Sequence, residues 1–335
     1  MPAAISDDRP VRWGVLGAGS IAGTVCSDLR LTSGNVVTAV AARDADRAAA
    51  FAAEHGAARS YGSYEDLVTD DEVDVVYVAT THPNHHRQAL LAIEAGKSVL
   101  VEKPVCLHAA QAREVFDAAR AADVFAMEAM WTRANPLVRK AQQLAADGTI
   151  GEVRHVRASF GIGVPFDPTS RLYDLANGGG ALLDLGVYPI TIASLFVGLP
   201  DRATWSGTLS PTGSDETVAV QWTAAGRPTA QLMFSAAVVM SNDTVIGGTE
   251  GFLRLESPGH RPSGLTVSVG GEERRIEDPL AGHGAGYTPQ VEEVERCLRA
   301  GLLESPLVPH ADTVAIQELM DEGLAALGVV YPQDR

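Results

Sequence analysis

From residue 11 to about residue 130, short apolar runs rich in β-branched residues alternate with alanine-rich helical stretches. That alternation is the pattern of parallel βαβ units. It predicts strands over 12–16, 36–41, 73–79, 98–101 and 124–127, with a short sixth over 58–61. Asp44 and Asn84 are placed to cap helices that stop at Gly56 and Gly96, following the rule of polar side-chain starts and glycine stops. A further helix over 136–147 opens on a proline in its first turn and ends at Gly148.

Beyond that helix the period changes. Residues 153–161, 204–209, 217–223, 229–235, 244–248, 251–255 and 265–269 read as strands separated by glycine and proline turns, and helices over 289–299 and 312–327 close the chain. The predicted fold class is α/β: an N-terminal doubly wound parallel sheet of the Rossmann type over 1–130, and a C-terminal α+β domain over 131–335 built on a large, open, mainly antiparallel sheet. A chain of 335 residues is too long for one ordinary core, which agrees with two domains. An open sheet with its helices on one face leaves the other needing cover, so a homodimer or homotetramer through the C-terminal sheet is expected.

Charge narrows the partners. Acidic residues outnumber basic ones 42 to 26, and a net charge of -16 disfavours nucleic acid and anionic lipid, leaving a small molecule as the expected partner. The three cysteines, Cys26, Cys106 and Cys297, are widely spaced and form no CxxC pair, which fits a reducing, cytoplasmic setting. Residues 1–10 carry Asp7 and Asp8 and lack a basic region followed by an apolar one, so no secretory leader is expected. Residues 181–200 have Asp184 as their only charge, yet Gly186 and Pro189 interrupt them and three glycines precede them. A buried helix is therefore expected rather than a membrane span.

The first predicted strand runs into Gly17, Gly19 and Ala22, a GxGxxA turn opening a helix. The first glycine allows the tight turn and the second lets main chain approach a pyrophosphate. The small third residue lets helix and strand pack closely. Ser20 and Ile21 complete this candidate cofactor-binding turn, whose helix N-terminal amides suit phosphate. NAD-specific domains usually place an acid at the end of the second strand to bond the ribose. This chain has Ala41 and Ala42 there, followed by Arg43, whose guanidinium suits a 2′-phosphate. NADP is the expected cofactor, with NAD the alternative.

Two further motifs carry chemistry: Glu102-Lys103-Pro104 after a predicted strand, and the run Gly178-Gly179-Gly180 leading through Asp184 and Gly186 to Tyr188. With the glycine turn, the Asn84-His85 region, Ala95-Gly96-Lys97 and the closing Gly286-Tyr287, these make the chain resemble the Gfo/Idh/MocA oxidoreductases nearly end to end. Tyrosine at 188, where many members have histidine, and the segment from Met127 to Arg133 are most similar to the branch of dimeric dihydrodiol dehydrogenase and NADP-linked xylose dehydrogenase. The resemblance implies Lys103, Asp184 and Tyr188 as the catalytic group, and a sugar, cyclic polyol or trans-dihydrodiol as the hydroxyl-rich substrate. It adds Thr80, His85, Glu102 and Lys103 to the cofactor-binding set, with Trp131 and Arg133 as substrate candidates.

Elementary chemistry agrees with that assignment. Residues four apart on a helix share a face, so Asp184 and Tyr188 can point the same way. A phenol titrates near pKa ~10, so as a base at neutral pH it needs a neighbouring cation, which Lys103 can supply. His82 and His86 have the spacing of helical metal ligands, but Pro83 lies between them and no metal site is expected. Two rival readings remain: a dinucleotide-binding regulatory protein without turnover, and an NAD-linked inositol-type dehydrogenase.

Overall fold

The computed structural model describes residues 5–334 except 7 and 227, so much of the segment bearing on a leader lies outside the described residues. The chain divides into two compact units, Met1–Trp131 with Gly282–Val314, and Thr132–Ala281 with Ala315–Arg335. A single cut at 130/131 does not describe this division, because residues 282–314 return to the first unit. Their return is anchored by Asp28, a buried side chain that accepts hydrogen bonds from the Ala285 and Tyr287 amides at 2.8 and 2.7 Å. Such long-range pairing leaves no local periodicity to read.

In the first unit six strands, β1 (Val11–Leu16), β2 (Asn35–Ala41), β3 (Arg59–Tyr61), β4 (Val75–Val78), β5 (Ser98–Val101) and β6 (Ala126–Glu128), form one parallel sheet in the order β3-β2-β1-β4-β5-β6. Helices α1 (Ser20–Leu29), α2 (Ala45–His55), α3 (Tyr64–Val68), α4 (His82–Glu94) and α5 (Ala109–Ala121) connect them. The strands bury both faces, with Val76, Val78, Val99 and Val101 packing among Ile93, Val115 and Phe116. Asp44 caps α2 by accepting from the Arg47 amide at 2.8 Å, and Gly56 ends it at φ 74°. At α4 the cap position belongs to Thr81 rather than Asn84. Pro83 already sits in the first turn, and the Asn84 side chain donates back to Thr81 Oγ1 at 2.8 Å.

The second unit opens with α6 (Pro136–Ala146), capped by Asn135, and carries α7 (Val187–Val197). Its sheet contains β7 (Val153–Gly161), β8 (Arg202–Leu209), β9 (Asp215–Thr223), β10 (Thr229–Ser235), β11 (Thr244–Gly248), β12 (Gly251–Leu255), β13 (Gly264–Val269) and β14 (Glu272–Glu277). The order is β14-β13-β12-β11-β7-β10-β9-β8. Every neighbouring pair is antiparallel except β7 and β10, which run parallel, so the sheet is mixed and mostly antiparallel. β14, with sequence EERRIE, was not expected. It is a charged edge strand with five of its six residues exposed, and so shows no apolar alternation.

Val156, Ala158, Val218, Val220, Leu232 and Phe234 alternate to one face of this sheet and are buried, while Arg157 and Met233 on the same strands are exposed. The apolar stretch behaves as a core helix. Leu175–Val197 is long and apolar enough to cross a membrane, but residues 181–193 are all buried. The remaining helices are α8 (Thr288–Arg299) and α9 (His310–Leu327).

Candidate functional site

Register brings the sequence-predicted residues of the first unit to one edge. Ala41, Leu16, Val78, Val101 and Glu128 are successive partners across the sheet, so the chain leaves β2, β1, β4 and β5 side by side. The segments that leave these strand ends are therefore grouped: Ala42 and Arg43, Gly17 to Ala22, Ala79 and Thr80, and Glu102 and Lys103. This is the carboxyl edge, where open α/β sheets bind ligands, at the point where the strand order reverses between β1 and β4.

The two glycines of the turn do different things. Gly17 has φ +108°, and a Cβ there would stand 2.6 Å from the Ala79 carbonyl oxygen, so fold geometry alone requires glycine. A Cβ on Gly19 would meet nothing within 4 Å, and no side chain caps α1. The open space and uncapped first-turn amides fit a pyrophosphate approaching closely. Ala22 is fully buried under the turn, Ile21 is half-buried, and Ser20 is exposed at the rim. Beside them a cleft of about 430 Å³ is lined by Gly19, Ser20, Thr24, Phe51 and His55.

Arg43 is exposed at the end of β2. Arg47, one helical turn further, donates to the Ala18 carbonyl from Nη2 at 2.7 Å and from Nε at 3.2 Å, which puts a second cation on the glycine turn. Sequence reasoning missed Arg47, because its contact with the glycine turn is tertiary and Arg43 lies outside α2. Two guanidinium groups and no acid in the ribose position fit a phosphorylated ribose better than a free one.

Beyond β5, the buried Glu102 accepts from the Tyr77 hydroxyl, and its other oxygen accepts from the Lys103 amide at 3.2 Å. Burial, reinforced by Glu102, pushes the Tyr77 phenol far above its usual range and keeps it a neutral donor. Buried Glu128 accepts from the Val105 amide at 3.1 Å and from Thr313 Oγ1 at 3.2 Å. His85 is fully buried. Its Nδ1 lies 2.9 Å from the Pro104 carbonyl and its Nε2 3.2 Å from that of Thr80, so the ring stands between the two loops and, when neutral, donates to one of them. Burial lowers its pKa despite those carbonyls. The Thr80 hydroxyl donates to Gln88. Lys103 itself is half-buried.

In the second unit the glycine run has steric reasons of its own. A Cβ on Gly179 would lie 2.8 Å from the Arg171 carbonyl oxygen, and one on Gly186 would lie 2.8 Å from the Phe234 ring on β10. The expected helix starts as a π-helical turn, Leu182–Gly186, which passes into α7. Asp184 and Tyr188 are both buried on this segment. The Arg171 guanidinium, from a loop with no sequence signal, donates to Asp184 at 2.9 Å. The Tyr188 ring stacks on His260, with centroids 4.6 Å apart and planes 26° apart, and meets Phe160 edge-on at 5.8 Å.

The substrate candidates fall in different units. Trp131, in the first, stacks on Tyr287 at 4.3 Å, while Arg133, in the second, is buried. Among the described residues no group of three or more histidine, cysteine or acidic side chains is assembled for a metal.

A family model described as an oxidoreductase family with an NAD-binding Rossmann fold matches residues 11–130, and the model of the GFO/IDH/MocA C-terminal domain matches 138–254. The chain is 37% identical to a trans-1,2-dihydrobenzene-1,2-diol dehydrogenase of Bos taurus and 38% identical to one of Danio rerio, in each case over 97% of this chain and 99% of the relative. Among solved structures, a 3-ketoreductase from Actinomadura kijaniata in complex with NADP and TDP-benzene superposes with TM-score 0.84 at 27% identity, covering 95% of this chain and 98% of that one. A levoglucosan dehydrogenase in complex with NADH and levoglucosan shares the fold, with TM-score 0.85 at 19% identity over 96% and 98% of the two chains.

Proposed function

The chain belongs to the Gfo/Idh/MocA family of NAD-binding oxidoreductases and is an NAD(P)-dependent dehydrogenase. From that premise we propose that it uses NADP, that its substrate is a trans-dihydrodiol, a sugar or a cyclic polyol, and that Tyr188 exchanges the substrate proton with the help of Lys103. The observation that carries this reading is the pairing of a doubly basic β2–α2 corner, Arg43 and Arg47, with no acid at the ribose position. Near-complete coverage of relatives named for a dihydrodiol supports the substrate class.

Gly17, Gly19 and the first turn of α1 would hold the pyrophosphate, and Arg43 with Arg47 the 2′-phosphate. When bound, the dinucleotide supplies the acceptor or donor of hydride. The protein's own part is the proton. Tyr188 takes it from the substrate hydroxyl on oxidation and returns it on reduction. A phenol needs help to do so near neutrality, and the Lys103 ammonium favours the phenolate. Asp184, already paired with Arg171, orients a substrate hydroxyl or the lysine. Trp131 and Arg133 are assigned to the substrate's surroundings.

The polar face of the second sheet, with Met233 standing exposed in it, is the surface we assign to a homodimer or homotetramer. The free, buried Cys26, Cys106 and Cys297 fit a reducing cytoplasm.

The test follows nicotinamide absorbance with NADP and with NAD on trans-1,2-dihydrobenzene-1,2-diol, xylose and inositol. Turnover with NADP is expected on the diol or the sugar, and Lys103→Met and Tyr188→Phe should each lower kcat by roughly 100-fold or more with folding intact. Near-normal rates in both variants, or a clear preference for NAD with inositol, would overturn the reading.

A further inference from the structure

The helix that carries Asp184 and Tyr188 has a second anchor, at its amide end. Asp215, the first residue of β9, is 0% exposed, and its Oδ2 accepts from the Leu182 amide at 2.5 Å. Leu182 opens the π-helical turn. The carboxylate thus caps unpaired amides where a helix is electropositive. Main chain closes in from the other side. Gly180, at φ +143°, lies so near that a Cβ would stand 2.1 Å from Asp215 Oδ1, which accounts for the third glycine of the run.

We propose that Asp215 is a positioning residue for Tyr188: its ionised carboxylate pins the Leu182 end of the turn to β9 and thereby fixes where the phenol stands. The inference rests on the role given to Tyr188 above. The site is costly in stability. Burial pushes the Asp215 carboxyl up to about 6, with the amides of Leu182, Asp215 itself and Ala181 pulling it back. A carboxyl whose folded pKa is raised binds its proton more tightly when folded, so stability falls as pH rises from about 4 through 6.

The other titratable groups around it are acidic or neutral. Tyr331, whose hydroxyl lies 3.6 Å from that Cβ position on Gly180, is held neutral by burial, with Asp215, Asp334 and Asp321 adding to the effect. Asp184, further along the turn, is paired with Arg171. None of these supplies a cation that would compensate Asp215, so its charge depends on the amides it caps.

The experiment uses the full chain with NADP and trans-1,2-dihydrobenzene-1,2-diol. Asp215→Asn keeps the shape but turns one acceptor into a donor facing amide donors. We expect kcat to fall at least tenfold, KM for NADP to stay within twofold, and Tm at pH 8 to be unchanged or higher. Wild-type kcat should decline as pH falls through about 6, and the variant should lack that limb. Normal kcat and an unaltered pH profile in Asp215→Asn, with Tyr188→Phe inactive, would overturn this proposal alone. An active Tyr188→Phe would instead remove the reading beneath it. If Asp215→Asn fails to fold, the wild-type profile decides, and a flat kcat between pH 5 and 8 counts against the proposal.

Discussion

The Arg171 guanidinium donates to the Asp184 carboxylate at 2.9 Å, although Arg171 is 63% exposed and Asp184 only 4%. One partner is in water and the other is not, so removing the arginine weakens the support of a buried carboxylate, while the pair itself is partly screened. Arg171→Gln should cost about 1 kcal/mol of stability by urea unfolding. It should also lower kcat roughly tenfold, equivalent to ~1.4 kcal/mol of transition-state stabilisation. In Arg171→Gln/Asp184→Asn the stability losses should be smaller than the sum of the two single variants.

On the proposed NADP reading, cofactor choice turns on two arginines that play unequal parts. Arg43 is exposed, whereas Arg47 is already bonded to the Ala18 carbonyl and so stiffens the glycine turn as well as charging it. Arg43→Ala should raise KM for NADP roughly tenfold and leave KM for NAD nearly unchanged, the loss expected for one charge-assisted contact to phosphate. Arg47→Ala should raise both, NADP more than NAD. Initial-rate kinetics with each dinucleotide separates the two, and equal effects in both variants would contradict the division.

This asymmetry also marks how far the sequence could be read. Gly17 and the parallel strands were legible because a turn signal and β-branched runs are local, and the register then grouped Arg43, Thr80 and Lys103 without any further information. Arg47 looked like an ordinary exposed helix residue, because a guanidinium folding back onto a carbonyl leaves no trace in spacing. β14 escaped because an edge strand of charged residues lacks the alternation by which strands are found. Asp28 and Asp215 hold distant amides, so their importance lies in tertiary contacts that neither composition nor period encodes.

Acid should weaken the first unit through Asp74. Burial raises its pKa, but hydrogen bonds from Arg12 and Arg9 and from the Arg12 amide outweigh that and bring it to about 2, against 3.8 ordinarily. A carboxyl depressed on folding contributes stability above its unfolded pKa and loses it as pH falls through the folded value, so the loss lies between about pH 4 and pH 2. Asp74→Asn should remove about 2 kcal/mol at neutral pH and flatten that part of the profile. Urea unfolding at stepped pH checks both, and a variant as stable as wild type at pH 7 would show that the network contributes little.

The glycine turn offers a separation of folding from binding. Gly17 is constrained by the protein itself, through φ +108° and the Ala79 carbonyl 2.6 Å from any Cβ, whereas a Cβ on Gly19 meets nothing within 4 Å. Gly17→Ala should therefore destabilise the apoprotein by about 1–3 kcal/mol, the usual size of enforced left-handed strain. Gly19→Ala should leave apoprotein Tm within a degree or two of wild type, because the added methyl enters open space. In the proposed site that space is where main chain approaches the pyrophosphate, so the same substitution should weaken NADP binding at least tenfold by fluorescence titration. Thermal shift with and without NADP gives the joint test: Gly17→Ala lowers the unliganded Tm, while Gly19→Ala keeps it and loses the increment that NADP adds. A full NADP increment in Gly19→Ala would mean that the pyrophosphate does not lie on this turn.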